Sequence, residues 1–450
     1  MSTTCSIERP GAEMSNRRTF LKQGGAGLVG AAAVEWAGAA SAARSEETLK
    51  VGLIGCGGRG LGLLKDFASL EGVEIAYVCD PDRLRAGAAS AGAKLVGQST
   101  PKAVDDFRHV LDDKAVDAVI VATPDHWHAP AAILACDAGK HVYVEKPCCH
   151  NFREGQLLVD AAKRSGRVVQ HGTQSRSNGF VAHAIKLLHD GLIGDVVVAK
   201  AINVQRRAEI GHASPCSPPP NFDYDLWVGP APFVPYQSNR HHYNWHWWYD
   251  FGTGDMGNDG VHELDIARWG LGVETHPTTV ASVGGKYVFD DDQQFPDTQY
   301  VLFEYPGDGK PGHRRQLVFE MRIWSAYQPE GFENGNIFYG TDGWMVLSKN
   351  GTMKVFDGKG KPRPIEGTPP KLPGHQQDFV DAIREGRRPT AEIGLGFVSA
   401  ALCHLGNIST RVGRTLHVDP ASEQIVGDDE AARLLRRSYR DGHWATPRGV

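Results

Sequence analysis

The sequence has no excess of basic residues and, after residue 40, no long hydrophobic run. Its 450 residues include 48 Lys and Arg against 53 Asp and Glu, which gives a formal net charge of -5. Because nucleic-acid binding needs a basic surface, this balance argues against nucleic acid as a main partner. A membrane span needs about 20 mainly apolar residues, so we predict none in the mature chain. No internal repeat is present.

Cysteine is scarce, and no two cysteines stand in a C-x-x-C spacing. One of the eight, Cys5, lies near the N-terminus, and most of the others fall within apolar strand or helix patterns. A cysteine in such a pattern is usually a small buried hydrophobe. We therefore predict no disulfide framework, no zinc site and no other bound metal. The adjacent Cys148 and Cys149 leave a redox-active pair open as an alternative.

The N-terminal segment combines a basic string with an apolar run. Arg17 and Arg18 open the string R-R-T-F-L-K, and Gly, Ala, Leu and Val dominate residues 24–40. The sequence A-S-A at residues 40–42 then provides a small-residue cleavage pattern. This arrangement resembles a twin-arginine export signal. We therefore expect residues 1–42 to be removed and the protein to be periplasmic or otherwise exported, with an untargeted basic arm as the alternative.

The rest of the chain divides by its hydrophobic patterns. Residues 46–170 alternate short apolar runs with helical patterns, which predicts an α/β domain with a doubly wound parallel sheet. Residues 171–420 carry longer strands in which apolar and polar residues alternate, as in an antiparallel sheet with one packed face. The sequence K-N-G-T at residues 349–352 predicts a hairpin there. Residues 421–450 form a charged C-terminal tail.

The first predicted strand runs directly into a glycine-rich turn. Gly55, Gly57 and Gly60 fit the spacing G-x-G-x-x-G, with Gly58 and Arg59 between them. Between a strand and a helix, this spacing is typical of a dinucleotide-binding turn. The first glycine permits the tight turn, the second lets a pyrophosphate approach the backbone, and the third lets helix and strand pack closely. The N–H groups of the helix N-terminus would then bind the anion.

Asp80 stands 20 residues after Gly60, at the end of the second predicted strand. A carboxylate at this place accepts hydrogen bonds from the adenosine ribose. Because it also repels a 2′-phosphate, it favours NAD over NADP. Arg59 and Arg83 leave NADP open as the alternative cofactor. Asp80 would otherwise cap a helix that Pro81 is predicted to start.

The sequence E-K-P follows the predicted strand at residues 141–144. A Lys at the carboxyl end of a central parallel strand points into the crevice where ligands bind. A neighbouring oxidised nicotinamide would disfavour the ammonium form of Lys146. Lys146 can then orient a hydroxyl, polarise a carbonyl or exchange a proton. Glu145 would tether Lys146 in the cofactor site, and a surface Glu-Lys turn is the alternative.

These motifs together resemble the Gfo/Idh/MocA oxidoreductase family. The resemblance rests on the glycine turn with Asp80, on T-P-D-H-W-H at residues 123–128 and on E-K-P at residues 145–147. It extends from about residue 49 to residue 420. It implies a Rossmann domain followed by an α/β domain with an open, mostly antiparallel sheet, and a catalytic role for Lys146.

The same resemblance implies further cofactor contacts. Thr123, Pro124 and His128 would line the cofactor site, and Gln174 of the sequence G-T-Q would lie near the nicotinamide. Packing at a helix N-terminus is the alternative role for His128.

The second catalytic element of the family resembles D-x-x-x-H-x-x-D on a helix. His262 and Asp265 match it, and their spacing places them on one helical face. We expect His262 to be the general base, because imidazole accepts a hydroxyl proton near neutral pH, and a buried structural histidine is the alternative. Asn258 stands where many members have Asp, so it can position a substrate hydroxyl but cannot exchange a proton. We place Asn258, Asp259 and Asp265 in the substrate site, with a structural anchor as the alternative role for Asp265.

An aromatic stretch precedes this element. Residues 241–249 read H-H-Y-N-W-H-W-W-Y. We expect Trp245 and Trp247 to form a platform on which the C–H face of a sugar stacks, with an aromatic core or subunit interface as the alternative. Arg176, Arg206 and Arg207 are candidate contacts for an acidic group on the substrate, with surface charges as the alternative.

Together these features predict an oxidoreductase that acts on a secondary hydroxyl of a carbohydrate or polyol. Because free NAD should be scarce outside the cytoplasm, we expect a tightly bound cofactor that is loaded before export and recycled in place. An NAD-dependent glycoside hydrolase or lyase that oxidises its substrate transiently is one alternative. A non-catalytic sugar- or nucleotide-binding protein is another. We also expect a homo-oligomer, either a dimer or a tetramer.

Overall fold

A computed structural model describes residues 48–307, 310, 312–328 and 331–450. The expected export signal at residues 1–42 lies outside the described residues, and it stays a prediction.

The N-terminal domain contains a parallel sheet of six strands in the order β3-β2-β1-β4-β5-β6. The strands are β1 (Leu49–Ile54), β2 (Val73–Cys79), β3 (Lys102–Val104), β4 (Ala118–Val121), β5 (His141–Val144) and β6 (Val169–His171). The helices are α1 (Gly58–Ala68), α2 (Arg83–Leu95), α3 (Arg108–Asp112), α4 (Asp125–Asp137) and α5 (Phe152–Ser165). In this order, sheet growth changes direction between β1 and β4, and ligands bind at such a switch point.

The second domain contains a mixed sheet of ten strands in the order β14-β13-β12-β11-β7-β10-β9-β8-β15-β16. Only β7 and β10 pair in parallel among its described strands. The strands are β7 (Val196–Asn203), β8 (Thr279–Gly285), β9 (Thr298–Tyr305), β10 (Arg315–Arg322), β11 (Asn334–Gly340), β12 (Gly343–Ser348), β13 (Thr352–Asp357), β14 (Pro362–Arg363), β15 (Leu416–Asp419) and β16 (Gln424–Ile425). The helices are α6 (Gly179–His189), α7 (Tyr224–Val228), α8 (Val261–Leu271), α9 (His375–Glu385), α10 (Ile393–Val412) and α11 (Asp429–Arg433).

Apolar residues on both faces bury the parallel sheet between two helical layers. On one face, Leu53 belongs to the same buried cluster as Phe67 of α1. On the other face, Val121 belongs to a larger cluster that includes Leu158 of α5. Phe379 of α9 packs edge-on against Phe67, with ring centroids 6.0 Å apart. A helix from late in the chain therefore completes the core of the first domain.

Helices α8 and α10 cover one face of the mixed sheet. The alternating pattern of β9 buries Val301 and Phe303 and leaves Tyr300 and Leu302 exposed. Helix α10 is long and apolar enough to span a membrane, but 72% of its most apolar window is buried inside the protein. Its apolar character is explained by its place in the core.

The predicted fold class is confirmed, and most predicted elements are present. The start of α2 differs: Asp82, and not Asp80, is its N-cap, and Asp82 accepts a hydrogen bond from the Leu84 N–H at 3.0 Å. Pro81 therefore precedes the helix instead of starting it. The hairpin at residues 349–352 joins β12 to β13 as predicted. All seven described cysteines are free thiols.

Candidate active site

The carboxyl ends of the parallel strands open into one large cleft. The residues that line it from the glycine turn and from these strand ends include Gly55, Gly57, Gly58, Arg59, Asp80, Thr123, Pro124, Asp125, His128, Glu145 and Lys146. The second domain contributes Tyr243, Trp245, His246 and Asn258 to the same cleft. The structure thus brings together most of the residues that the sequence motifs selected.

The glycine turn has the geometry that its spacing predicts. Gly55 adopts a φ of +95°, and a Cβ on it would lie 2.5 Å from the carbonyl oxygen of Ala122. A Cβ on Gly60 would lie 2.0 Å from the carbonyl oxygen of Gly55. Gly60 therefore lets α1 pack closely on the turn, although it does not line the cleft. No side chain caps the N-terminus of α1 at Gly57, so its first N–H groups are available to an anion.

Asp80 is buried beside this turn and lines the cleft. Its carboxylate accepts hydrogen bonds from the Cys56 N–H at 2.8 Å and from the Asp82 N–H at 2.9 Å. Burial raises the pKa of Asp80, and the two N–H donors oppose that shift. The carboxylate therefore fixes the glycine turn and is in place to meet a ribose hydroxyl.

Thr123 and His128 support the cofactor side of the cleft. The Thr123 hydroxyl is buried and has no hydrogen-bond partner among the described residues, so it is free for a bound molecule. The ring nitrogens of His128 lie 2.6 Å from the Pro147 carbonyl oxygen and 2.9 Å from that of Thr123. Pro124, the residue before α4, also lines the cleft. His128 thus joins the start of α4 to the E-K-P turn, whose Lys146–Pro147 peptide bond is cis.

Glu145 lies at the centre of a buried polar cluster. Its carboxylate accepts hydrogen bonds from Arg59 Nε at 2.7 Å, from Gln174 Nε2 at 3.3 Å and from the Tyr143 hydroxyl at 3.4 Å. Although burial raises the pKa of Glu145, the positive charges of Arg59 and Lys146 hold it below its usual value. The ionised carboxylate therefore anchors the turn that carries Lys146.

This cluster changes two sequence expectations. Arg59 is paired with Glu145, so it is not free to bind the 2′-phosphate of NADP. Gln174 bonds to Glu145 and Tyr143 and does not line the cleft, so it supports the E-K-P turn from behind. The other NADP candidate, Arg83, pairs with Asp105 at 3.3 Å on the surface.

Lys146 reaches across the cleft to the second domain. Its Nζ donates to the Asn258 carbonyl oxygen at 2.5 Å and to Asn258 Oδ1 at 3.2 Å. The Asn258 amide in turn donates to Asp255 Oδ1 at 3.0 Å, which turns Oδ1 toward Lys146. Asn258 lies in a wide helical turn, Met256–Gly260, with a π-helical hydrogen-bond pattern, and such turns are frequent at functional sites. Asn258 therefore positions Lys146.

His262 follows this turn at the start of α8, is partly buried and does not line the cleft. Burial, followed by the positive charges of Lys349 and Lys146, holds its pKa well below the usual histidine value. No described residue donates a hydrogen bond to its ring or accepts one from it. The imidazole is therefore neutral and free to accept a proton.

Four residues assigned to the substrate site from sequence do not line the cleft, and three of them are buried. Asp265 is fully buried and forms a two-pronged ion pair with Arg176, with N–O distances of 2.9 to 3.1 Å. Ser399 also donates to Asp265 at 2.6 Å. Trp247 is 2% exposed and belongs to the main core. We therefore assign structural roles to Asp265, Arg176 and Trp247, because buried groups with satisfied or apolar surroundings cannot meet a substrate.

The aromatic stretch is split between core and cleft. Trp245 lines the cleft and stacks on His246, with ring centroids 3.6 Å apart. Tyr243 lines the cleft and is 49% exposed. Asp259 does not line the cleft; it forms an ion pair with Arg207 behind Tyr243. Of the two tryptophans expected to form a platform, Trp245 lines the cleft and Trp247 does not.

Sequence reasoning missed four charged residues that line the cleft: Arg85, Asp105, Asp106 and Asp125. Arg85 lines it, and a Cβ on Gly57 would lie 3.2 Å from Arg85 Nη1, so the guanidinium lies over the glycine turn. Among the described residues it has no ion-pair partner, which suits it to a pyrophosphate. Asp125 accepts a hydrogen bond from the Thr253 hydroxyl at 2.6 Å, and burial raises its pKa to about 7. Arg85 was not predicted because the start of α2 was placed at Pro81 and not at Arg83. Asp125 could have been predicted, because it belongs to the sequence T-P-D-H-W-H.

Sequence reasoning also missed the residues that cover the cleft. We call the segment 221–246 the cover, because its residues Leu226, Trp227 and His242 line the cleft. The Asn221 amide donates to Asp82 at 2.7 Å, the Asp223 N–H donates to the Pro81 carbonyl oxygen at 2.9 Å, and His242 Nε2 lies 3.2 Å from Asp82. The cover is therefore fastened next to Asp80.

The C-terminal tail adds a second closing element. Trp444 lines the cleft, and its ring centroid lies 5.6 Å from that of Phe107 and 5.8 Å from that of Trp127. An ion pair between Arg440 and Asp225 at 2.7 Å joins the tail to the cover.

This fold and site define an oxidoreductase with an NAD-binding Rossmann domain. The chain belongs to the Gfo/Idh/MocA oxidoreductase family. The family model described as an oxidoreductase NAD-binding Rossmann fold matches residues 49–173. The model for the family's C-terminal alpha/beta domain matches residues 186–299 and 364–446. The cofactor is NAD, and the free Thr123 hydroxyl, the uncapped α1 N-terminus and Asp80 all fit it.

Known proteins show similarity at two levels. Glycosyl hydrolase family 109 protein 2 of Shewanella sp. (strain ANA-3) is 32% identical over 212 residues, which cover 41% of this chain and 45% of that protein. The chain thus matches less than half the length of such curated relatives. In structure, the chain resembles aldose-aldose oxidoreductase from Caulobacter crescentus, with a TM-score of 0.63 and 21% identity. The match covers 83% of this chain and 100% of that chain. The structure of levoglucosan dehydrogenase in complex with NADH and levoglucosan gives a TM-score of 0.62 at 20% identity. The match covers 82% of this chain and 99% of that chain.

Proposed function

We propose that the protein oxidises or reduces a secondary hydroxyl group of a sugar or polyol with NAD. The observation that carries this proposal is the position of Lys146 in the cleft, where it bonds to Asn258 just before the helix that carries His262. Lys146 is held across the cleft by Asn258, and the neutral His262 follows one turn later. Lys146 lines the cleft, and His262, which does not line it, lies close enough for the charge of Lys146 to lower its pKa. A cation with a neutral base near it suits the removal of a proton from a hydroxyl.

The residues divide this work as follows. When bound, NAD supplies the acceptor for the hydride that leaves the carbinol carbon. Lys146 donates a hydrogen bond to the substrate oxygen and fixes the carbinol carbon beside the cofactor half of the cleft. His262 accepts the hydroxyl proton, directly or by way of a bound water. The products balance as a ketone, a proton on His262 and a reduced cofactor.

The glycosyl hydrolase family 109 relative favours a second candidate, an NAD-dependent glycoside hydrolase. Such an enzyme oxidises one hydroxyl transiently, eliminates the aglycone and then restores the hydroxyl. The same Lys146 and His262 would serve that chemistry, because its first step is also the oxidation of an alcohol.

One experiment separates these candidates. The protein as purified is mixed with a panel of free sugars, polyols and chromogenic glycosides, while the absorbance of bound reduced nicotinamide and the release of aglycone are followed together. Reduction by a free sugar without aglycone release supports the oxidoreductase. Catalytic aglycone release without net reduction supports the glycoside hydrolase. The absence of both from the whole panel would contradict the proposed function.

The cover and Trp444 support a tightly held cofactor, which the proposal requires. We expect Trp444→Ala to release bound NAD about tenfold faster, because it removes ring contacts each worth about 1 kcal/mol from the closed side of the cleft. The measurement is the rate at which NAD is lost during dilution of the purified protein. Tyr287→Ala, which removes a 64% exposed ring outside the cleft, is the control and should match the wild type. Equal rates in all three proteins would contradict a closing role for Trp444.

We also propose export by the twin-arginine route, supported by the R-R-T-F-L-K string and the A-S-A site. This route carries folded proteins, so NAD bound in the cytoplasm would travel with the enzyme. Changing both Arg17 and Arg18 to Lys should leave a cofactor-loaded precursor inside the cell, and the exported wild type should begin near Ala43. Fractionation and N-terminal sequencing test this. Normal processing of the double variant would contradict it, and so would a native cytoplasmic protein that keeps its first 42 residues.

We further propose a homo-oligomer, a dimer or a tetramer. Tyr300 and Leu302 of β9 are 42% and 44% exposed on one face of the mixed sheet, and clustered exposed apolar side chains commonly mark an interface. Sedimentation analysis should give a mass of two or four chains. A mass of one chain at micromolar concentration would contradict this expectation.

A further inference from the structure

The part of the cleft beyond Lys146 is the part left for the substrate, and its wall contains Tyr243, Trp245 and Asn258. Arg207 lies directly behind this wall, where its Nη1 donates to the Tyr243 hydroxyl at 3.1 Å. From the sequence, this arginine was a candidate contact for an acidic group on the substrate. The partners of Arg207 therefore show whether it is available to bind an anionic group on the substrate.

Arg207 forms ion pairs with two carboxylates. Its guanidinium lies 3.2 Å from Asp255 Oδ1 and forms a second ion pair with Asp259. The Arg207 side chain is only 17% exposed, and Asp255 is fully buried. One guanidinium thus faces two carboxyl groups, so this part of the wall carries no surplus positive charge.

The other cationic side chains near this wall do not supply a surplus positive charge either. Arg176 is buried in its ion pair with Asp265, and Lys349 is paired with Glu263 at 2.6 Å. Arg206 is exposed and does not line the cleft. Burial holds the pKa of His246 well below its usual value, so its ring is neutral. Within the described residues, Lys146 is therefore the one unpaired side-chain cation in this half, since Arg85 lies over the glycine turn.

Lys146 is a poor receptor for an additional anion. It already donates to the Asn258 carbonyl oxygen and side-chain oxygen. Its remaining hydrogen-bonding capacity is needed at the reacting hydroxyl. An anionic group elsewhere on the ring would lie near the carboxyl groups of Asp255 and Asp259 without a free cation to bind it.

We propose that this site takes uncharged hydroxylated rings, such as neutral hexoses, their glycosides and cyclic polyols, and discriminates against sugar acids and sugar phosphates. The inference rests on the proposed function and narrows its substrate class. Tyr243 and Trp245 offer an apolar face to the ring, and polar atoms on Asn258 and Lys146 face its hydroxyls. A carboxylate or phosphate substituent loses its hydration in this cleft and gains no ion pair in return.

The test measures binding and does not require turnover. The NAD-loaded protein is titrated by calorimetry with a panel of methyl hexopyranosides, each paired with the uronic acid of the same configuration. For every neutral sugar that binds, we expect the matching uronic acid to bind at least about tenfold more weakly, a difference of roughly 1.4 kcal/mol. Equal or tighter binding of the uronic acids overturns this inference and leaves the proposed function intact. If no member of either series binds, this inference fails, whereas the proposed function fails only if the whole panel of sugars, polyols and glycosides also gives no reaction.

A charge variant provides the second arm. Asp259→Asn removes one of the two carboxylates that pair with Arg207. We expect it to narrow the gap in binding affinity between a neutral sugar and its uronic acid by about fivefold, which corresponds to one partly exposed ion pair of about 1 kcal/mol. Glu209→Gln makes the same change of net charge at an exposed residue that has no contact with Arg207, and it should leave the gap unchanged. Thermal unfolding of both variants confirms that they are folded. A gap that closes equally in both would overturn the role given to Arg207.

Discussion

Lys146→Ala should lower turnover by about a hundredfold or more, the usual scale for a group that acts on a proton in the transition state. Lys146 is the cation that the E-K-P turn presents in the cleft, and no described residue is placed to replace it. The variant should keep its bound NAD, because the glycine turn, Asp80 and Thr123 are untouched. The measurement is turnover with the best substrate from the panel, together with the NAD content after denaturation.

Two controls make the Lys146 result specific. Lys65→Ala removes an exposed lysine in the last turn of α1 and should have no effect. Lys146→Arg keeps the charge but replaces a compact ammonium with a planar group, and should restore only part of the activity. Near-normal turnover in Lys146→Ala would remove Lys146 from the mechanism. Loss of NAD in parallel with activity would instead give it a binding role.

His262→Ala should also lower turnover by about a hundredfold or more, and it should change the pH profile. A base works only when it is unprotonated, so kcat/KM is constant above its pKa and falls below it. Because burial and the charges of Lys349 and Lys146 lower the pKa of His262, the fall should lie at a lower pH than about 6.5, the ordinary histidine value. We call this decrease of kcat/KM at low pH the acidic limb of the profile. The His262→Ala variant should lose the acidic limb along with most of its activity.

The neighbour Glu263 provides a matched check on the His262 result. Glu263→Gln lies next to His262, but its side chain is buried in an ion pair with Lys349. The variant should keep the acidic limb and move it to lower pH, because Lys349 then acts on His262 without a compensating charge. A wild-type limb at or above the ordinary histidine pKa would contradict the base assigned here. An unchanged limb in His262→Ala would contradict it as well.

The elements that could be predicted from sequence are those fixed by local pattern. Strands β1, β2 and β5 occur where their apolar runs predict them, because strands buried on both faces are apolar throughout. Strand β11 was missed because its sequence N-G-N-I-F-Y-G contains residues that disfavour strands. The fold compensates for this: the Asn336 amide donates to the Glu263 carbonyl oxygen at 2.8 Å.

The site shows the same division between local and distant signals. The glycine turn, Asp80 and Lys146 could be predicted because each lies where a strand ends. The pairing of Arg176 with Asp265 joins residues 89 positions apart, and no local pattern reveals it. Trp444 reaches the cleft from the C-terminal tail, which composition alone describes as charged. Contacts of this kind depend on tertiary packing, and they explain why buried residues were mistaken for substrate contacts.

Direct hydrogen transfer from a sugar to the resident cofactor tests the central claim most directly. The purified protein is incubated with its best neutral substrate carrying deuterium on the carbinol carbons, and the dinucleotide released by denaturation is analysed by mass spectrometry. The account predicts a reduced dinucleotide that carries one deuterium, and none in Lys146→Ala within the same time. If the released dinucleotide is reduced without deuterium, or if no dinucleotide is present at all, the assignment of this cleft as a sugar-oxidising site is contradicted.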